Sequence, residues 1–445
     1  MKNARQGKRQ QEIDLNTRKR TKSIEIDYNS ITLNNFERLI NNNKKNRNYM
    51  EIKVSSSQFN YTYGNRIHFP YSIALLVSYI KTKEKFSQFK FEKTFVFRNE
   101  EKIEEYVEKC RDSDILLCSC YVWNWEITTL VAKKVKEINP KCLIIFGGPH
   151  VPEILEDFFE KYPFVDIAVH GEGEIILENI FSEYLTEKNY FKVKGISTKD
   201  FTTEPQERIK DFDSMPSPYL TNTVLDLVDN VDGYQWIASW ETNRGCPYQC
   251  TFCDWGSSTA TTMRKWSEER LYKEIEWFGD NKIPYIDGCD ANFGIYRDRD
   301  FQIAKKLREE KLTKGFPETF MVNWAKVSSE KIIPLAKELT SAGLLKAVTL
   351  SLQSLDKNTL DTIKRANLKF NTFSNLTTSF RDENIPTYTE LIMGLPGETL
   401  KSFKKGLETI LSDEDLGSIL IFNCGLLPNA PMNYPEYREK HKIKS

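Results

Sequence analysis

The sequence predicts a two-domain α/β protein, in which an N-terminal doubly wound, Rossmann-like domain precedes a (βα)6 partial TIM barrel. Three observations predict it. At 445 residues the chain is longer than one hydrophobic core usually organises. Short apolar runs alternate with amphipathic segments over residues 50–200 and again over 236–430, the pattern of parallel strands joined by helical crossovers. Between these two stretches, residues 201–235 contain Met215-Pro-Ser-Pro218, which has the character of a linker.

Residues 1–48 come first and are rich in Lys, Arg, Asn and Gln, with basic clusters at Lys8-Arg9, Arg18-Lys19-Arg20 and Lys44-Lys45. They can bury little apolar surface, so a disordered basic arm is expected there, with a nucleic-acid contact or a targeting address as the alternatives. In the first domain, residues 114–119 read as a buried strand, 127–138 as a helix, and 142–146 as a strand running into Gly147-Gly148-Pro149. A helix near 153–161, a strand over 165–169 and a turn at Gly171-Glu172-Gly173-Glu174 follow. Cys118 and Cys120 share one strand face and read as buried structural thiols rather than a metal pair.

The second domain opens with a strand over 236–240. Strands over 284–287, 319–322, 347–351, 388–393 and 419–422 follow, with helices between them over 268–278, 299–310, 329–342, 356–364 and 400–411. Six strand and helix units result, the last of them incomplete. Parallel units with right-handed crossovers close, wholly or partly, into a barrel whose site lies at the carboxyl ends of the strands.

Composition excludes some classes of function. Lys+Arg and Asp+Glu both number 63, which argues against a globally basic nucleic-acid binder or a membrane-surface protein. Nine cysteines, an odd number without an N-terminal apolar signal segment, favour a reducing compartment and a cytoplasmic location. No apolar run approaches the roughly 18 residues of a spanning helix.

The chemistry is concentrated in Arg244-Gly-Cys-Pro-Tyr-Gln-Cys-Thr-Phe-Cys-Asp-Trp-Gly256, where Cys246, Cys250 and Cys253 fall at C-x3-C-x2-C spacing. Three soft thiolates on one short loop suit a four-iron cluster that keeps one iron open for a small molecule. A zinc site or three core cysteines would use the same residues. Zinc would ordinarily take a fourth Cys or His from a second knuckle, yet no histidine lies between His170 and His441. A second concentration lies at three strand ends of the first domain: Ser119 with Tyr121-Val-Trp123-Asn124, Gly147-Gly148-Pro149-His150, and Gly171-Glu172-Gly173-Glu174. Singly each is an ordinary tight turn, but three in order along one sheet edge point to a ligand.

The cysteine loop resembles the signature of the radical S-adenosylmethionine (radical SAM) superfamily, with Phe252 as the aromatic residue before the last cysteine, and the resemblance covers roughly residues 235–430. It implies that Cys246, Cys250 and Cys253 hold a [4Fe-4S] cluster whose open iron is chelated by SAM. It also implies SAM contacts at Phe252, Asp290, Asn292, Ser351, Gln353, Glu390, Gly394 and Pro396, with Arg365 balancing a carboxylate. Asp290 and Asn292 stand where many members carry Gly-Gly-Glu, a triplet this chain lacks. Read from the residues alone, an acidic strand end is equally a helix cap, and Gly-Leu-Pro-Gly equally a turn.

The ordered strand ends resemble the cobalamin-binding domain that precedes the cluster domain in B12-dependent radical SAM proteins, over roughly residues 65–180. That resemblance implies a corrin over Ser119, Tyr121, Trp123 and Asn124. Gly147, Gly148, Pro149, His150, Gly171, Glu172 and Gly173 would frame the nucleotide tail. No Asp-x-His-x-x-Gly segment is present, so the lower corrin face is expected to lack a protein nitrogen. His150 or His170 could supply one, or each could be a structural histidine, and Trp123 could cover the corrin or pack in the core.

The resemblance implies reductive cleavage of SAM and methylation of an unactivated carbon of a peptide or small-molecule substrate, with methylcobalamin as donor and a second SAM restoring it. Ring rearrangement and non-radical methyl transfer are further family precedents. An external electron donor such as flavodoxin or ferredoxin is expected, and neither a membrane nor a nucleic acid. The alternatives are an RNA-modifying enzyme aided by the basic arm, or a cobalamin and cluster sensor without turnover. Trp236, Trp240 and Trp324 could shape a pocket or simply pack. Residues 431–445 leave little beyond the sixth strand, whereas relatives often carry a further domain, so a short form or a fragment is expected.

Overall fold

The computed structural model describes residues 51–255, 261–325 and 330–444, so the basic arm expected at 1–48 lies outside the described residues. The first strand, β1 (Ile52–Asn60), is buried almost throughout although its sequence is IKVSSSQFN. Its hydroxyls are satisfied sideways, Ser55 Oγ lying 2.7 Å from Ser113 Oγ and Ser56 Oγ 2.8 Å from Thr94 Oγ1, which allows polar residues inside. Such a strand has no apolar alternation to betray it.

The strand β2 (Arg66–His68) leaves for the second sheet. Beside β1 lie β3 (Phe89–Phe91) and β4 (Phe95–Phe97) on one edge and β5 (Ile115–Ser119) on the other. Then come β6 (Leu143–Gly147), β7 (Ile167–Val169) and the antiparallel β8 (Ile196–Ser197). In β5 every residue is buried, Ile115 and Leu117 entering one core cluster and Leu116 and Cys118 the other. A parallel strand covered on both faces reads as a continuous apolar run, which is why β5 and β6 are visible in the sequence. Helices Tyr71–Lys81 and Gly173–Tyr184 contribute to the first cluster, and Ile103–Lys109 and Trp125–Ile138 to the second. Of the helix expected near 153–161 only Phe158–Lys161 is helical. The chain order reverses between β1 and β5, the switch point at which sheets of this kind bind ligands.

The barrel half contains six parallel strands in the expected order: β9 (Gln235–Trp240), β12 (Tyr285–Gly288), β13 (Thr319–Met321), β14 (Val348–Thr349), β15 (Thr387–Met393) and β16 (Ser418–Asn423). Among the described residues they fall into two hydrogen-bonded sheets, β13-β12-β9-β2 and β14-β15-β16. Helices Glu268–Asp280, Arg297–Lys314 and Ile333–Ser341 follow β9, β12 and β13, and Leu400–Leu411 follows β15. After β14 the crossover uses two helices, Lys357–Thr362 and Phe370–Asp382. The second of these escaped the sequence reading because its Thr, Asn and Ser residues are poor helix formers. It holds by burying Phe373, Leu376, Thr377 and Phe380 on one face.

Residues 201–235, read as a linker, are packed. Phe212, Met215, Tyr219, Val224 and Leu227 belong to the same core cluster as the barrel's Trp240 and Phe278. Tyr219 Oη donates to the carbonyl of Ser239, and Trp277 Nε1 donates to Asn222 Oδ1 at 2.9 Å. Because β2 also pairs with β9, His68 opposite Ile237, the two halves share a sheet and a core. Trp236 stacks on Phe69 with ring centroids 4.7 Å apart, and Trp240 and Trp324 are buried among aromatic rings. All three tryptophans pack, while Trp236 also borders a surface hollow with Tyr234, and Trp324 a small one beside Ser351.

Candidate functional site

A cavity of about 840 Å³ lies where the carboxyl ends of the two halves face each other. Asn60, Ser119, Tyr121, Trp123 and Gly147 wall it from the first sheet, and Ser239, Asp287 and Asn323 from the barrel. Tyr61, Tyr63, Trp123 and Trp255 all border it while remaining 48%, 60%, 40% and 39% exposed. Four large aromatic side chains left open around one hollow are suited to covering a large, partly apolar ligand. His68 Nε2 lies 3.2 Å from Asp287 Oδ2, so β2 and β12 are bridged at the same wall.

Most of the expected first-domain residues reach this cavity, and two do not. Tyr121 stacks on Trp123, ring centroids 4.4 Å apart, and shares a 2.7 Å hydrogen bond with Ser72. Asn124 is fully buried and is spent on the turn: Oδ1 accepts from Tyr121 N, and Nδ2 donates to the carbonyls of Phe59 and Ser119. His150 packs against the Trp125 ring at 4.9 Å, off the cavity wall, and burial holds its imidazole below the usual range. His170 does line the cavity; Nε2 lies 2.9 Å from Ser197 Oγ, and Nδ1 is buried without a partner.

Gly147, Gly148, Pro149, Gly171 and Gly173 border the cavity. Gly148 has φ +108°, and a Cβ there would sit 2.7 Å from the Cys120 carbonyl oxygen, so only glycine lets the strand-end loop fold back so closely. Glu172 borders the cavity too, but its carboxylate is engaged by Arg264, with Arg264 Nη1 donating to Oε2 at 3.0 Å. Burial works against its charge, yet Arg264 and Arg244 hold it below the ordinary carboxylate range. Glu172 is therefore an ion-pair partner of the barrel half before it is anything else.

The cysteine loop is pinched at its base by the two-residue strands β10 (Asn243–Arg244) and β11 (Arg264–Lys265). Cys246 and Cys250 are buried and Cys253 is partly so. Asn292 Nδ2 donates to Cys246 Sγ at 3.2 Å, and Arg365 Nη1 approaches Cys250 Sγ at 4.0 Å. Burial lowers the Arg365 guanidinium, while Cys250, Cys253 and Glu390 act to hold its charge. Among the described residues no three His, Cys, Asp or Glu side chains converge closely enough to enclose an ion by themselves. The fit to an iron–sulfur cluster rests on three thiols on one loop and on N–H donors aimed at two sulfurs, the environment thiolate ligands take.

None of the expected SAM residues lines the cavity. Ser351 Oγ donates to Glu390 Oε2 at 2.7 Å, and the Ser351 carbonyl accepts from Arg365, which brings this pair beside Cys250. Gln353 has φ +64° and, four residues beyond β14, pairs through its backbone with β15, its N–H donating to the Glu390 carbonyl. Gly394 turns at φ +89°, followed by the buried Pro396. Phe252 packs in a small core cluster with Ile363, Leu395 and Met432. Asp290 has no oxygen to spare for an external amine: it accepts from Thr242 N at 2.8 Å, from the Thr242 hydroxyl, and from Asn243 N and Nδ2 at 3.0 and 2.8 Å. Its work is to pin the start of the cysteine loop.

Several residues of the site carry no sequence signature. Arg244 is held by Glu241 and Glu174, and Asn429 spans from the C-terminal segment to the loop after β6. Glu174 lies 70 residues from Arg244, and Glu153 lies 276 residues from Asn429, beyond the reach of spacing arguments.

Residues 240–410 match the family model of the radical SAM superfamily, and residues 76–181 that of the B12 binding domain. The chain is similar to the cobalamin-dependent radical SAM methyltransferase TokK of Streptomyces tokunonensis, at 40% identity over 350 residues, covering 77% of this chain and 51% of that one. It is likewise similar to the 2-(S-pantetheinyl)-carbapenam-3-carboxylate methyltransferase of Streptantibioticus cattleyicolor, at 41% identity over 341 residues, covering 75% of this chain and 50% of that one. The chain thus spans about half the length of the curated relatives it matches. In fold it is similar to the radical SAM methyltransferase TsrM from Kitasatospora setae, solved with cobalamin and a [4Fe-4S] cluster bound. That alignment has a TM-score of 0.66 and 16% identity, and covers 88% of this chain and 75% of that one.

Proposed function

The chain belongs to the radical SAM superfamily and carries its B12-binding domain, and on that premise we propose that it is a methyltransferase acting on an unactivated carbon of a small molecule. The cofactors of such an enzyme, a [4Fe-4S] cluster, SAM and cobalamin, supply a carbon-centred radical and a methyl group carried on cobalt. The observation that supports this reading is a cavity bounded by the carboxyl ends of both halves, with four open aromatic side chains around it.

In this reading Cys246, Cys250 and Cys253 hold the cluster, while Asn292 and Arg365 donate to the sulfurs and temper their charge. The Ser351–Glu390 pair, tied to Arg365, offers polar atoms to SAM beside Cys250. Trp123 and Tyr121 present a stacked aromatic floor to the corrin, and Gly147, Gly148, Gly171 and Gly173 leave room for its tail. The relative at 41% identity that is named a 2-(S-pantetheinyl)-carbapenam-3-carboxylate methyltransferase supports a substrate of that type, and a flavodoxin or ferredoxin is the reductant proposed.

Anaerobic purification with iron, sulfide and cobalamin analysis, followed by mass spectrometry of SAM-derived products, tests the proposal. The reduced protein should release 5'-deoxyadenosine from SAM and methylate a pantetheinyl carbapenam. Cys250→Ala should abolish 5'-deoxyadenosine formation. Unchanged formation in that variant, or a colourless protein holding zinc, would overturn the cluster assignment.

A further inference from the structure

Glu174 stands at the first turn of helix Gly173–Tyr184, on the cobalamin side of the cavity it helps to wall. Its side chain is 4% exposed, and its two oxygens differ. Oε1 accepts from both Nη1 and Nη2 of Arg244, each at 3.2 Å, whereas Oε2 is buried without any partner. A buried carboxylate oxygen left unpaired is costly, so a site that keeps one is a site that expects a donor.

Arg244 lies two residues before Cys246. Its guanidinium is fixed by Glu241, with Nε to Oε1 and Nη2 to Oε2 both at 2.9 Å, and it lies 3.5 Å from Glu172 Oε1. Arg264, on the paired strand β11, donates to both oxygens of Glu172, and the Phe212 ring lies 5.2 and 4.9 Å from the Arg244 and Arg264 guanidinium carbons. Strand β10 and the base of the cysteine loop are therefore clamped to the first domain through one carboxylate pair.

We propose that Glu174 is a cobalamin-binding and positioning residue: its free Oε2 takes a hydrogen bond from a carboxamide N–H of the corrin, and its Oε1 passes that occupancy through Arg244 to the cluster loop. The inference rests on the functional reading above, which supplies the two cofactors. Two edges of one side chain thus join two cofactor sites that share no ligand. Because Glu174 acts on the cluster only through Arg244, loading the cavity should alter the cluster's surroundings without changing its ligands.

The test uses the full chain, reconstituted anaerobically with its cluster and titrated with hydroxocobalamin. Retained cobalamin is read by absorbance, and the reduced cluster by electron paramagnetic resonance with and without cobalamin. The wild type should show a cluster spectrum that changes on loading. Glu174→Gln should bind cobalamin about tenfold more weakly or worse, the loss expected for one hydrogen bond to a charged acceptor, and its spectrum should ignore loading. Arg244→Lys, which leaves Glu174 Oε2 in place but removes the two-pronged contact, should keep its cobalamin affinity and lose the spectral response. Wild-type affinity in Glu174→Gln, a persisting response in either variant, or no response in the wild type overturns the inference. A wild type that takes up no cobalamin overturns the functional reading along with it. Should Glu174→Gln fail to fold, Arg244→Lys decides the coupling alone.

Discussion

Asp290 illustrates how much of the site is built by single side chains facing inward. Burial pushes its carboxyl up to about 7, against the pull of four donors from Thr242 and Asn243 and the charge of Arg299. The folded protein then holds a proton between pH 3.8 and about 7 that the unfolded chain has released. Stability should therefore be highest at the acid end of that window and fall as pH rises through it, on the order of 1 kcal/mol per pH unit. Denaturant midpoints measured across pH 4 to 8 should show this slope in the wild type and lose it in Asp290→Asn; an identical slope in the variant would assign it to other groups. At this scale the three cysteines are legible because their spacing is local. Asp290 is misleading because a carboxylate at a strand end looks the same whether it faces a ligand or four backbone and side-chain donors.

Among elements, the C-terminal segment does more than follow the last strand. Asn429 accepts from Glu153 N at 2.8 Å and donates to the carbonyls of Pro149 and Val151 at 3.0 and 2.9 Å, so one amide holds the loop after β6. Three residues on, Met432 N donates to the Thr251 carbonyl inside the cysteine loop at 2.8 Å. Asn429→Ala strands those groups and should lower stability by about 1–3 kcal/mol in urea unfolding, with weaker protection of residues 149–153 in hydrogen exchange. An unchanged midpoint would show that water replaces the amide fully. Elements that bury apolar residues in regular patterns, such as β5, β6 and helix Trp125–Ile138, can be read in advance. Those that bury hydroxyls cannot, because Ser55 and Ser56 in β1 announce solvent exposure until Ser113 and Thr94 are found beside them.

Across the whole molecule, the open aromatic rim of the central cavity predicts a large ligand-linked stabilisation. A ligand that binds only the folded state, present at a hundredfold over its dissociation constant, adds about 2.7 kcal/mol. Hydroxocobalamin should raise the unfolding midpoint accordingly, and Trp123→Ala should diminish the gain. A midpoint indifferent to hydroxocobalamin would count against the cavity as its site. At this scale the order of motifs announces the two halves, but not how they interlock. The strand Arg66–His68, encoded between β1 and the rest of the first sheet, pairs with Gln235–Ile237 as a fourth ribbon of the barrel's first sheet. A chimaera that exchanged residues 52–181 for another corrin module would carry this ribbon away and leave β9 with a raw edge. Transplanting the module is therefore workable only if the donor brings an equivalent strand or the recipient keeps its own.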